Sequence, residues 1–244
     1  MSRLVCWWSA GATSAVATKL ALEKSDLTPI IAYCDTGSEH PDNERFRLDC
    51  QDWYGQEIVV LKSKTYSDVW DVFERTRYLV GPRGARCTGE MKKLPRRDFE
   101  LPDDLQVFGF DSSETRRAER FQENNPEVKV WFPLIEAAIT KQDCIAKLNE
   151  VGIEIPAMYK LGYKNNNCIG CPKGQAGYWN KIRVDFPETF ERMAKLEREL
   201  NAAICKSYAG DGKRKRVFLD ELPLDLGRYE SELDVMQCGL VCGE

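Results

Sequence analysis

Three cysteines carry the clearest chemical signal in this 244-residue chain. Cys168 and Cys171 form a C-x2-C pair in Cys168-Ile169-Gly170-Cys171, and Cys87 stands in Arg86-Cys87-Thr88-Gly89. Two thiolates on one tight turn can grip a single Zn2+ or part of an iron–sulfur cluster. Gly170 and Pro172 suit a loop that must turn sharply around such a centre. The alternative is plain packing, because a free cysteine behaves as a small apolar residue. The flanking Lys164-Asn165-Asn166-Asn167 and Lys173 are too polar for a core, which favours a metal or cluster loop.

A second candidate lies at Ser9-Ala10-Gly11-Ala12-Thr13-Ser14, between an apolar run and a helical pattern. Backbone N–H groups at such a turn, with the positive end of the following helix, suit a phosphate or sulfate. Small residues there also serve as plain helix caps. The turn is neither a Walker A loop nor a G-x-G-x-x-G. The single histidine, His40, argues against a histidine-rich zinc site or a Ser-His-Asp triad.

These loops need elements to hold them. Leu4–Trp8, Pro29–Cys34, Glu57–Leu61 and Leu105–Phe110 read as strands. Helices are expected over Ala15–Lys24, Asp42–Tyr54, Tyr66–Tyr78 and Asp111–Arg120. Alternation of this kind predicts right-handed crossovers and an α/β fold with a doubly wound, mostly parallel sheet. Ligands of such sheets sit at the C-terminal ends of the strands, where Ser9–Ser14, Asp35–Glu39 and Asp111–Arg117 fall. Beyond residue 135 the pattern turns helical and cysteine-bearing, with helices over Lys141–Val151 and Pro187–Cys205 and an irregular Ile155–Tyr163. The expected division is a nucleotide-binding domain over 1–135 and a helical, cluster-binding region with a tail over 136–244. Lys213-Arg214-Lys215-Arg216 reads as a solvated turn.

The net charge of −4 and 43% apolar residues fit a chain with a sizeable core and no overall demand for a nucleic-acid partner. Ten cysteines, without an apolar leader or a membrane-length run, point to a reducing, cytoplasmic setting and to metal or catalytic thiols. Cys6, Cys34, Cys50, Cys144 and Cys205 lie in settings that favour packing.

The order of motifs resembles the phosphoadenosine phosphosulfate (PAPS) reductase family of the PP-loop superfamily. It runs from Ser9-x-Gly11-x-x-Ser14 through Asp35-Thr36-Gly37-Ser38-Glu39, Cys87-Thr88 and Lys92-Lys93-Leu94-Pro95. Gly109, Ser113-Glu114-Thr115-Arg116-Arg117-Ala118, Tyr159–Tyr163 and Cys168-x-x-Cys171 follow. The resemblance covers about residues 3–180 and is nearest to short phage and bacterial members. It implies an adenine nucleotide (PAPS, adenylyl sulfate or ATP) at the strand ends and, in one branch of the family, a [4Fe–4S] cluster.

Position by position, the resemblance gives Ser9, Gly11 and Ser14 to the PP-loop, and Thr13 joins them as a nucleotide-binding candidate through its hydroxyl on the same turn. The resemblance gives Asp35, Thr36, Gly37, Glu39 and Glu114 to the nucleotide, and Arg116 and Arg117 to its anionic group. Cys87, Cys168 and Cys171 match the cluster cysteines, with Cys238, Cys242, His40 or an open site as fourth ligand and Zn2+ as the alternative metal. Gln237-Cys238-Gly239-Leu240 resembles the family's C-terminal motif, whose cysteine attacks the activated sulfate. Two positions depart from the pattern. Thr13 replaces an acidic residue of the pyrophosphatase signature, and Asp111 replaces a basic one.

The resemblance thus implies reduction of a sulfonucleotide by Cys238, with a thiol donor such as thioredoxin and a homo-oligomeric state. Sulfur or nucleotide transfer onto tRNA or DNA is the second reading, motivated by the basic segments. A non-catalytic nucleotide-binding module with a structural metal is the third, motivated by Thr13 and Asp111.

Overall fold

A computed structural model describes residues 2–82, 84–208 and 214–232. Cys238, Cys242 and Lys213 lie outside these residues. In chain order the elements of the first half are β1 (Arg3–Trp8), α1 (Ala12–Lys24), β2 (Thr28–Cys34), α2 (Asn43–Tyr54), β3 (Ile58–Leu61) and α3 (Val69–Thr76). A short hairpin, β4 (Val80–Gly81) and β5 (Gly84–Ala85), leads into α4 (Arg86–Thr88), a π turn over Gly89–Lys93 and α5 (Leu94–Phe99). Next come β6 (Leu105–Phe108), a 3-10 turn over Ser112–Glu114, α6 (Thr115–Asn124), β7 (Lys129–Trp131) and α7 (Pro133–Glu136). The rest is α8 (Lys141–Glu150), α9 (Ala157–Lys160), α10 (Ala176–Asp185), α11 (Pro187–Leu200), β8 (Cys205–Tyr208) and β9 (Arg214–Val217).

The central sheet has the order β3-β2-β1-β6-β7 and is parallel throughout. The expected doubly wound α/β fold is therefore present. Strand alternation explains its layers. In β1, Leu4, Cys6 and Trp8 enter the core beneath α1, α2 and α8. Val5 and Trp7 enter the opposite core, with Ala118 and Phe121 of α6. Strand order reverses between β1 and β6, and the loops leaving both strands open at that switch point, where such sheets bind ligands.

A third core lies beside the sheet. It gathers Trp70 and Phe73 of α3, Cys87, Met91, Cys168, Cys171, Trp179 of α10 and Met193 of α11. Leu134, Cys144, Leu148 and Ile153 instead pack with α1 and β1. Two of the three cores thus draw on the chain from both sides of residue 135.

Several expected elements differ. The helix placed over Tyr66–Tyr78 begins only at Val69, because Asp68 caps it by accepting from Asp71 N–H at 2.8 Å. The helix placed over Pro187–Cys205 stops at Leu200, where Asn201 turns left-handed at φ 50°. Cys205 instead opens a strand, and Arg214–Val217 pairs with it, so the basic run is not a simple turn. Ile155–Tyr163 contains the short helix α9. The C-x2-C segment, expected to be too polar for a core, is buried: Asn166 donates to Ala10 and Asn43 while Cys168 and Cys171 join the third core.

Candidate functional site

The loop after β1 is held by one serine. Ser14 Oγ accepts from Ser9 N–H at 3.0 Å and donates to the Gly11 carbonyl at 2.9 Å, with Ser9 Oγ 3.1 Å away. Ala10 takes φ 57°. That left-handed conformation costs an L-residue about 1–2 kcal/mol and is found where the surroundings over-determine the backbone, commonly at ligand sites. Across the switch point, Gly109 follows β6. A side chain there would place its Cβ 2.5 Å from Ser14 Cα and 2.6 Å from Ser14 N. Glycine is what lets the two loops close on one another. Thr13 is half-buried on the same turn.

The loop after β2 carries Asp35, Thr36, Gly37 and Glu39. Asp35 N–H continues the β2–β3 ladder to the Leu61 carbonyl, and Asp35 Oδ1 accepts from Gly37 N–H at 2.8 Å. Gly37 sits at φ +64°, and a Cβ there would lie 2.8 Å from the Ser67 carbonyl oxygen. Glu39 turns inward. Its carboxylate accepts from Tyr33 Oη at 2.7 Å and Asn43 Nδ2 at 2.9 Å, and lies 3.5 Å from both Thr36 Oγ1 and Lys92 Nζ. Burial first, and then the Glu39 charge, push the Tyr33 phenol far above its usual range, so it remains a proton donor.

The cysteine loop docks directly on this carboxylate's neighbours. Cys168 Sγ lies 3.0 Å from Thr36 Oγ1. Ile169 N–H donates to the Ser38 carbonyl at 2.9 Å. Asn166 Nδ2 donates to the Ala10 carbonyl at 2.6 Å and to Asn43 Oδ1 at 2.7 Å. The C-x2-C turn itself hangs from Tyr178, whose Oη accepts from both Gly170 N–H and Cys171 N–H at 3.0 Å. Gly170, at φ +78°, makes the sharp turn that the sequence requires.

Cys87, Cys168 and Cys171 share the third core. Among the described residues, however, no three of His, Cys, Asp and Glu stand as a set able to hold a metal ion. The described donors alone do not fit a metal or a cluster. His40, one candidate fourth ligand, accepts from Asp42 N–H through Nδ1 at 3.1 Å. Cys6, Cys34, Cys50 and Cys144 are packing groups: burial pushes each up to about 12, so they stay protonated and inert at neutral pH.

The loop after β6 explains one departure from the expected pattern. Asp111 is a helix cap, accepting from Ser113 N–H at 2.8 Å while Glu114 reaches back to Asp111 N–H at 3.3 Å. A basic residue could not make that capping box. Glu114 also binds Arg117 at 2.5 Å, and the Arg117 guanidinium lies 4.5 Å from the Phe110 ring centroid. Arg116 is exposed beside it. The two arginines expected to act together are thus set differently, one tied to its own helix and one facing solvent.

A family model for the phosphoadenosine phosphosulfate reductase domain matches residues 3–174. The chain belongs to this PAPS reductase family. Among solved structures, it is similar to phosphoadenylyl-sulfate (PAPS) reductase from Candida auris in a phosphate complex, at 16% identity and TM-score 0.52, covering 69% of this chain and 82% of that one. The U34-tRNA thiolase NcsA from Methanococcus maripaludis, with its [4Fe-4S] cluster, matches at 14% identity and TM-score 0.42, covering 82% of this chain and 72% of that one. No curated protein matches the chain. For this family member the first likeness establishes the shared fold.

Sequence reasoning missed Asn43, Asn166 and Tyr33, which knit the loops together. Their only signal was polarity: Asn166 lies in a run of three asparagines, and Asn43 opens a helix.

Proposed function

We propose that this PAPS reductase family protein is a sulfonucleotide reductase. It would bind adenylyl sulfate or PAPS at the β1/β6 switch point, with the phosphates on the Ser9–Ser14 turn and Thr13 beside them. Asp35, Thr36, Gly37 and Glu39 would line the nucleotide at the end of β2. Arg116 would meet the anionic group, with Arg117 held by Glu114 next to it. The observation that carries the reading is the 3.0 Å contact of Cys168 Sγ with Thr36 Oγ1, because it joins the cysteine loop to the strand ends where a nucleotide would sit.

The reaction follows from thiolate chemistry. The Cys238 thiolate attacks the sulfur of the activated sulfate and the sulfur–oxygen bond to phosphate breaks. The nucleotide leaves with the electron pair, and a thiosulfonate remains on Cys238. A second thiol, Cys242 or one from a dithiol such as thioredoxin, attacks Cys238 Sγ. Sulfite leaves, a disulfide forms, and the external dithiol then reduces it. A [4Fe–4S] cluster or Zn2+ on Cys87, Cys168 and Cys171 would need ligands beyond the described residues, and Cys242 is the proposed one where the resolving thiol is the external dithiol's. No step above runs through it, and anaerobic iron, sulfide and zinc analysis decides its identity. The test of function is sulfite release from adenylyl sulfate and PAPS in the presence of dithiol. Turnover that Cys238→Ser abolishes supports the reading, and turnover unchanged by that substitution contradicts it.

One observation favours a second reading, sulfur transfer to a nucleic acid. Lys206, Lys215 and Arg216 are exposed on the β8–β9 hairpin, where phosphate could meet them. That reading requires tRNA- or DNA-dependent conversion of ATP to AMP and pyrophosphate.

A further inference from the structure

The chain returns to the cysteine loop just before the segment that carries Cys238. Residues 227–232 lie on the first turn of α10 so closely that two glycines face one another. A Cβ at Gly227, which sits at φ +77°, would lie 2.5 Å from Gly177 N. A Cβ at Gly177 would lie 2.6 Å from Tyr229 N and 2.8 Å from the Arg228 carbonyl carbon. Glu232 closes the contact: one carboxylate oxygen accepts from Gly177 N–H at 2.5 Å and the other from Tyr178 N–H at 3.0 Å. The orphan N–H groups and positive end of a helix start favour a carboxylate in this way.

Helix capping does not account for the rest. Tyr229 is 6% exposed, and its Oη accepts from Lys164 N–H at 2.8 Å, while Lys164 Nζ donates to the Glu232 carbonyl. Lys164 stands at the start of the cysteine loop. Tyr178, whose N–H binds Glu232, holds the other end of that loop, because its Oη accepts from Gly170 and Cys171 N–H. Tyr229 and Glu232 thus grip both ends of the loop, and loop and strap form one body. Upstream, Asn180 Nδ2 donates to the Leu226 carbonyl at 2.9 Å.

We propose that Tyr229 and Glu232 are positioning residues that root the Cys238 segment on the cysteine loop and so set the reach of its thiol. This rests on the attack by Cys238 proposed above. Cys238 follows Glu232 by six residues, a span of at most about 20 Å. A short tether of fixed origin holds its thiol at high effective concentration near that origin, and the concentration falls as roughly the −3/2 power of tether length. A root that slipped back to Leu226 would double the tether and lower that concentration about threefold.

The experiment uses the full chain carrying Cys242→Ser, with saturating adenylyl sulfate and no reductant. Mass spectrometry follows the sulfonate adduct on Cys238, and calorimetry measures nucleotide affinity. Six or twelve glycines inserted after Glu232 leave the root intact and lengthen the tether, and the adduct should form about threefold and about fivefold more slowly. Gly177→Ala, whose Cβ displaces the root, should slow it about threefold or more. Nucleotide affinity should stay unchanged throughout, and a helix cap alone would not produce a loss graded with tether length. An adduct rate unaffected by Gly177→Ala, or unchanged or faster with the longer tethers, overturns the root and leaves Cys238 as the nucleophile. Nucleotide affinity that falls in step with the rate overturns it as well, because the strap would then act through the fold. No adduct on Cys238 in the chain without insertions overturns the nucleophile, and the root with it.

Discussion

The two halves of this protein solve the placement of a reactive loop in different ways. On the sheet side, the turn after β1 is built mainly by neighbours in sequence, with one long-range bond from Asn166 to the Ala10 carbonyl: Ser9, Gly11 and Ser14 bond to one another within six residues. On the cysteine side, almost every positioning contact is long-range. Tyr178 holds the C-x2-C turn, Glu232 caps α10 by accepting from Gly177 and Tyr178 N–H, and Glu197 accepts from Ile204 and Leu219 N–H. A site built from a strand–turn–helix can be assembled locally, whereas the cysteine loop exists only once α10, α11 and the chain near residue 230 have packed.

Perturbing each half should therefore have different consequences. The largest effect is expected for Trp179→Ala, which empties a fully buried site in the third core. A loss of about 3–5 kcal/mol is expected in urea unfolding, with faster labelling of Cys171. Gly109→Ala strikes the sheet side. Its Cβ would collide with the Ser14 backbone, and we expect a loss of about 1–3 kcal/mol together with lost nucleotide binding. A variant that lost stability but kept full nucleotide affinity would separate the two loops that we place in contact.

Glu197 sharpens the contrast through pH. Burial raises its carboxyl from 4.5 to about 7 in the folded protein. A raised carboxyl contributes stability that is complete below about pH 4.5 and lost as pH climbs through 7. Stability of the parent should fall across that window, and Glu197→Gln should flatten the fall while costing about 1–3 kcal/mol from one mismatched backbone N–H. Chemical unfolding at a series of pH values measures both. The smallest stability effect is expected for Arg116→Ala, within about 0.5 kcal/mol because the side chain is exposed. If Arg116 meets the nucleotide's anion, the same variant should weaken adenylyl sulfate binding about tenfold or more, and unchanged affinity would remove it from the site.

The sequence was most readable where periodicity and turn chemistry are local. The strands β1, β2, β3 and β6, the glycine-serine turn and the Asp35–Glu39 loop all follow from alternation and small residues. β7 is only Lys129–Trp131, too short for a pattern, and α10 carries no clean apolar stripe because Gly177 and Tyr178 pack against Tyr229 and the cysteine turn. Burial of Cys168 and Cys171 was hidden for the same reason: three asparagines and two lysines look like surface, yet the Asn166 amide nitrogen donates to Ala10 and Asn43, far away in the chain. Asp111 looked like a defect in a binding motif, and the structure gives it a capping task that composition could not reveal.

The most direct test of the central claim is a single turnover without reductant. Cys242→Ser protein, which cannot resolve an adduct through that thiol, would be mixed with adenylyl sulfate and its cysteines mapped by mass spectrometry. The account predicts a sulfonate adduct on Cys238 formed in step with AMP release. AMP released with no adduct, or an adduct on Cys87, Cys168 or Cys171 instead, would contradict it.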